Sequence, residues 1–77
     1  MITPKQIRGA RAMLGLSQAS LAEMAGISTT GLNNIEKGHA DPKMSTMIAI
    51  RTALESAGVQ FVSQGDTADG SGVVLRK

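Results

Sequence analysis

Residues 18–37 read Gln18-Ala19-Ser20-Leu21-Ala22-Glu23-Met24-Ala25-Gly26-Ile27-Ser28-Thr29-Thr30-Gly31-Leu32-Asn33-Asn34-Ile35-Glu36-Lys37. Apolar residues fall at Leu21, Ala25, Ile27, Leu32 and Ile35, with small Ala22 fifth in the stretch and Gly26 ninth. This spacing predicts two short helices that cross steeply through a tight turn. Ala22 lets the second helix approach closely. Gly26 supplies the left-handed backbone conformation that ends the first helix, which other residues reach only with strain. The apolar positions seal the angle between the helices from below.

The same logic extends in both directions. Upstream, Thr3 is a good N-cap, Pro4 suits the first helical position, and Gln6 can complete a capping box. Ile2 and Ile7 flank that cap at the spacing of a hydrophobic staple. Ile7, Ala10 and Leu14 then share a face, with Met13 beside it, and Gly15 ends helix one. Ser17 caps helix two, which runs to about Ala25. Ser28 caps helix three, Thr29 to Glu36, and Gly38 stops it. Gly31 inside helix three costs about 1 kcal/mol in propensity relative to alanine. It is either a tolerated weak position or a place where the helix backbone comes close to another surface. Downstream, residues 38–44 form a loop with Asp41-Pro42 as turn chemistry. Helix four is predicted from about Ser45 to Ala57, with Met47, Ile50, Leu54 and Ala57 as its apolar stripe and Gly58 ending it. Val59 to Val62 and Val73 to Leu75 then read as two strands around a polar, glycine-rich turn region from Gln64 to Gly72.

Composition narrows the function. At 77 residues the chain is one small fold, and one this short buries only about 60% of its unfolded surface. It has no cysteine, which removes disulfides and thiolate metal sites, and a single aromatic residue, Phe61, which argues against binders that stack single-stranded bases. No long apolar run or signal-peptide pattern is present, so the expected location is the cytoplasm, with no membrane partner. The net charge of +2 is uneven: residues 1–54 hold six basic and three acidic side chains, and residues 55–77 two basic and three acidic. The basic excess therefore lies in residues 1–54, the region that contains the two crossing helices, a balance compatible with a polyanionic partner. Paired carboxylate motifs, a nucleophile with a suitably spaced histidine, and a phosphate-binding loop are all absent. The stretch 65–72 has neither the lysine nor the following helix that a P-loop needs. No enzyme activity and no cofactor are expected. His39 is the only histidine, so no metal site is expected either.

Taken together, Leu14-Gly15-Leu16-Ser17-Gln18, Leu21-Ala22, Ala25-Gly26-Ile27, Ile35-Glu36-Lys37-Gly38 and Pro42 stand in the order and spacing of a known family. From about Ile7 to Leu54 the chain resembles the lambda-repressor and Cro type of helix-turn-helix DNA-binding domain, often called the XRE family. The resemblance implies a mainly α fold: a four-helix lambda-repressor-like domain over residues 1–58. Residues 59–77 lie outside it and are expected to form a C-terminal β-hairpin or pair of short strands. A helix-turn-helix of this kind lays its second helix in the major groove of duplex DNA.

By that resemblance, the outward positions of helix three are Ser28, Thr29, Thr30, Asn33 and Asn34, the candidate base contacts. The residues themselves agree, since all are uncharged hydrogen-bonding side chains that the core does not need. Asparagine can pair bidentately with adenine, and threonine can donate, accept or touch the thymine methyl. The resemblance also implies that Gln18 bonds a phosphate and braces the recognition helix, at a helix N-terminus that favours anions. Lys37, His39 and Lys43 flank the following loop as candidate phosphate contacts. Each of these also reads as an ordinary solvated side chain. Arg11 and Glu36 are the positions of a structural ion pair in the family, holding helix three against helix one.

The expected function is a sequence-specific, duplex-DNA-binding transcriptional regulator of bacterial or phage type, a repressor or autoregulator acting on operator DNA as a homodimer. Val59, Phe61, Val73 and Leu75 are the expected dimerisation residues, because an isolated two-stranded hairpin is marginal in water. Two other readings stay open. One is the antitoxin of a toxin–antitoxin pair, autoregulating through the same domain. The other is a protein-interaction module without specific DNA binding. A protein partner, a toxin or an antiactivator, would then set its activity.

Overall fold

In the computed structural model, residues 2–62 and 72–75 are described. Four helices are followed by two strands: α1 Pro4–Leu14, α2 Gln18–Ala25, α3 Thr29–Glu36, α4 Met44–Ser56, β1 Val59–Val62 and β2 Gly72–Leu75. The expected turn region from Gln64 lies outside the described residues up to its last member, Gly72, which begins β2.

Local chemistry sets the helix limits. At the start of α1 the capping box is closed in both directions. Thr3 Oγ1 accepts from the Gln6 amide at 3.2 Å, and Gln6 Oε1 accepts from the Thr3 amide at 2.8 Å. Ile2 and Ile7, the staple pair, are both buried. Between α2 and α3, Gly26 adopts φ 73°, and the amides of Gly26 and Ile27 return to the carbonyls of Glu23 and Ala22. Those two bonds satisfy the open carbonyls of α2 and turn the chain within three residues. Ser28 Oγ then accepts from the Gly31 amide at 3.0 Å and opens α3. α4 begins one residue earlier than the pattern indicated, after Lys43, whose side chain makes no capping bond. It ends at Ser56, and Ala57, expected on its apolar stripe, is exposed.

The core lies where the helices meet. Ile7 and Ala10 of α1, Leu21 and Ala22 of α2, Leu32 and Ile35 of α3, and Met47, Ile50, Ala53 and Leu54 of α4 are all buried. Ala25, Ile27, Leu14 and Leu16 pack against them, half-buried. Met13, beside the α1 stripe, is exposed. The strands form an antiparallel pair with Val59 opposite Leu75 and Phe61 opposite Val73. Directly opposed residues share a sheet face. That face is turned onto the helices: Val59 and Phe61 are buried in the same core as α1 and α4, and Val73 packs against it.

Candidate nucleic-acid interface

Glu36, in the last turn of α3, organises the site. Its side chain is only 2% exposed, yet it carries a charge, so it must be compensated within the fold. Arg11 of α1 supplies most of the compensation, with Nε donating to Oε2 and Nη2 to Oε1, both at 3.0 Å. This planar fork-to-carboxylate geometry fixes the relative orientation of two helices as well as their separation. Nη1 of Arg11 donates to the Leu16 carbonyl at 3.0 Å, tying down the turn after α1. Arg8, one helical turn earlier, donates from Nη1 to the backbone carbonyl oxygen of Glu36.

From α2, Gln18 Nε2 donates to Glu36 Oε1 and to Asn33 Oδ1, each at 3.2 Å. α3 is therefore held by polar bonds to both α1 and α2, in addition to the apolar packing of Leu32 and Ile35. The Gln18 amide is spent on bracing α3, so an anion at the start of α2 would meet backbone amides rather than that NH₂ group. Ser17 already takes the Ser20 amide there at 3.0 Å.

On the other side of α3, Ser28, Thr29, Thr30 and Asn34 are exposed, while Asn33 is half-buried against Gln18. Asn33 thus stands apart from the other four candidate base contacts. The Ser28 hydroxyl is engaged as the cap, and a Cβ at Gly31 would stand 3.0 Å from it. Gly31 therefore has a reason inside the fold: any larger residue makes the cap hydroxyl give way by a few tenths of an ångström. Lys37, His39 and Lys43 are all exposed and flank the loop after α3.

The four expected dimerisation residues divide. Val59 and Phe61 are buried in the subunit's own core, and they offer a second copy little side-chain surface. The apolar character of β1, which suggested an intermolecular contact, is used to close the bottom of the helical domain. Val73 is half-buried, and Leu75 is 53% exposed. Among the described residues no group of metal-ligating side chains comes together, and no helix is long and apolar enough to cross a membrane.

Neither Arg8 nor Asn33 was foreseen from the sequence as part of this network. Arg8 was legible in principle, since it lies three residues before Arg11 and so on the same face of α1. The Gln18–Asn33 bond had no local signal, because only the crossing of α2 and α3 brings those residues together.

Two short helices in contact, joined by a left-handed glycine, the second locked to α1 by a buried ion pair, agree with what a sequence-family comparison finds. The helix-turn-helix family model HTH_3 matches residues 7–57. The chain belongs to the HTH_3 helix-turn-helix family. Solved structures of similar fold agree. The restriction-modification controller protein C.AhdI from Aeromonas hydrophila superposes with a TM-score of 0.66 at 27% identity, covering 68% of this chain and 79% of that one. The DNA-binding domain of the P22 c2 repressor gives a TM-score of 0.65 at 27% identity, with 71% and 72% covered. An HTH_3 family transcriptional regulator from Vibrio cholerae gives 0.63 at 33% identity, covering 68% of this chain and 29% of that one. No curated protein matches in sequence. As an HTH_3 protein the chain is a DNA-binding transcriptional regulator rather than an enzyme.

Proposed function

We propose that this HTH_3 protein represses or autoregulates transcription in the cytoplasm, binding an operator sequence-specifically as a homodimer with α3 in the major groove. One observation carries the reading. α3 is braced from behind by Arg11, Gln18 and Arg8, and its opposite edge presents the side chains of Thr30 and Asn34, with Thr29 exposed at the helix start, and none of these three side chains has a hydrogen-bond partner among the described residues. A rigid helix with unspent donors and acceptors on one edge is what direct readout needs. Ser28 adds a further exposed oxygen at the helix start. Lys37, His39 and Lys43 supply phosphate contacts beside it, which set position and salt dependence without reading sequence. The similar structures named repressor and controller protein support an occluding or autoregulatory mode.

Dimerisation is assigned to β2. Among the described residues the sheet has two strands, so β2 has one edge without a strand partner. That edge carries Val73, Val74 and Leu75, with no charge or proline among them to discourage pairing. Antiparallel pairing of β2 with its copy is self-complementary across a two-fold axis. Where that pairing turns the two recognition helices to the same side of the duplex, half-sites about one helical turn apart, roughly 34 Å, are expected.

Selection of bound duplexes from a random pool tests the function, and enrichment of one two-fold symmetric site is expected. Sedimentation of the full chain and of Leu75→Lys tests the assembly. The substitution should leave the subunit folded, shift dimer to monomer, remove the concentration dependence of the melting temperature and weaken operator binding. A wild-type monomer at micromolar concentration, both free and on the operator, would refute the dimer.

A further inference from the structure

Asn33 and Asn34 are neighbours on α3, and the fold gives them unequal chemistry. Bidentate recognition of adenine uses both ends of a carboxamide at once: the oxygen accepts from the N6 amino group and the nitrogen donates to N7. Asn33 is half-buried and turns its Oδ1 back toward α2, where it accepts from Gln18 Nε2 at 3.2 Å. Its oxygen is therefore directed away from any base edge. Asn34 is exposed, and its carboxamide has no hydrogen-bond partner among the described residues, so both ends are open. Thr30 lies four residues before it, on the same face of the helix, and is also exposed.

The chemistry absent from this edge is equally informative. The usual bidentate contact to guanine comes from arginine or lysine. No lysine or arginine occurs between Arg11 and Lys37, so α2, the turn and α3 carry none. Arg11 itself is committed to Glu36 and to the Leu16 carbonyl. Lys37 follows the last residue of α3, at the opposite end of the helix from Ser28.

We infer that Asn34 is the one bidentate base reader in each subunit and that it selects adenine, so each operator half-site contains an A·T pair that Asn34 reads. Thr30 sits beside it with a methyl group suited to the thymine methyl of an adjacent pair. The inference rests on the reading that α3 enters the major groove. It adds which residue of α3 discriminates, and against which base.

The test uses the full-length protein and a duplex selected from a random pool, with binding followed by fluorescence anisotropy. The adenine at each position of the half-site is replaced in turn by 7-deazaadenine, which lacks the N7 acceptor, or by purine, which lacks the N6 amino group. At one position per half-site each replacement should weaken wild-type binding at least about fivefold. Asn34→Ala should weaken binding to the unmodified duplex by about five- to 150-fold and be indifferent to both modifications at that position. Asn34 is exposed, so its melting temperature should stay that of the wild type. Three results overturn the inference. A guanine required at the Asn34-dependent position would do so while specific DNA binding stands. So would an Asn34→Ala protein that keeps its sensitivity to 7-deazaadenine. If the pool yields no preferred sequence, the proposed operator function falls together with it.

Discussion

Replacing Arg11 by methionine, which keeps most of the side-chain volume, isolates the electrostatic role of the pair with Glu36. Glu36 is 2% exposed, so its carboxylate would be left with the Gln18 amide as its remaining side-chain donor among the described residues. Breaking a buried ion pair from one side costs about 3–5 kcal/mol. Arg11 is 23% exposed, so water can reach part of the vacated space and lower that cost. Loss of the bond to the Leu16 carbonyl adds about 1 kcal/mol. A net loss near 3 kcal/mol is expected, against a total stability of about 4–12 kcal/mol for a domain of this length. At 4–8 °C per kcal/mol, the melting temperature should fall by about 12–24 °C. The assay is thermal unfolding by circular dichroism of wild type, Arg11→Met, Glu36→Gln and the double variant. Glu36→Gln removes the charge at nearly constant size, so the double variant should be less destabilised than the sum of the two, with a coupling of about 1–3 kcal/mol. Additivity within about 0.5 kcal/mol would refute the buried-pair account. An unchanged melting temperature with abolished DNA binding would make Arg11 a DNA contact instead.

Lys37→Ala and Lys43→Ala should each weaken binding to cognate and random duplexes alike, and each should reduce the slope of log affinity against log salt by about 1. A loss confined to the cognate site would show base reading rather than phosphate contact. Phe61→Ala should destabilise the isolated subunit by about 3–5 kcal/mol, because the ring closes the core rather than a subunit interface. If that variant instead lowers only the dimer affinity and leaves the monomer's unfolding midpoint in denaturant unchanged, the ring faces a partner.

The helices and their crossing were legible residue by residue. Thr3, Gln6, Ser17, Ser28 and Gly26 act through bonds no more than a few residues long, and the chemistry of such bonds is written in adjacent letters of the chain. The apolar stripe of α3 was legible for the same reason, since Leu32 and Ile35 are spaced by the helix itself. Family resemblance supplied one contact that locality could not, the pairing of Arg11 with Glu36 across 25 residues. The limits of α4 moved by one residue because no side chain caps its start, so nothing local marked it.

What the linear order left open was the use of residues whose surroundings come from elsewhere in the chain. Val59 and Phe61 have the alternation of a half-buried strand, and that pattern is the same whether the covering surface belongs to the same subunit or to a second one. Only the packing of the sheet on α1 and α4 decided that they close the subunit's own core. Asn33 and Asn34 are chemically identical in the sequence. A bond from Gln18, fifteen positions earlier, turns one of them inward and leaves the other free. Local hydrogen bonding and periodicity therefore determined the elements of this protein. The tertiary crossing of α2 over α3 decided which polar groups remain unspent, because a side chain's availability depends on the neighbour that folding brings to it.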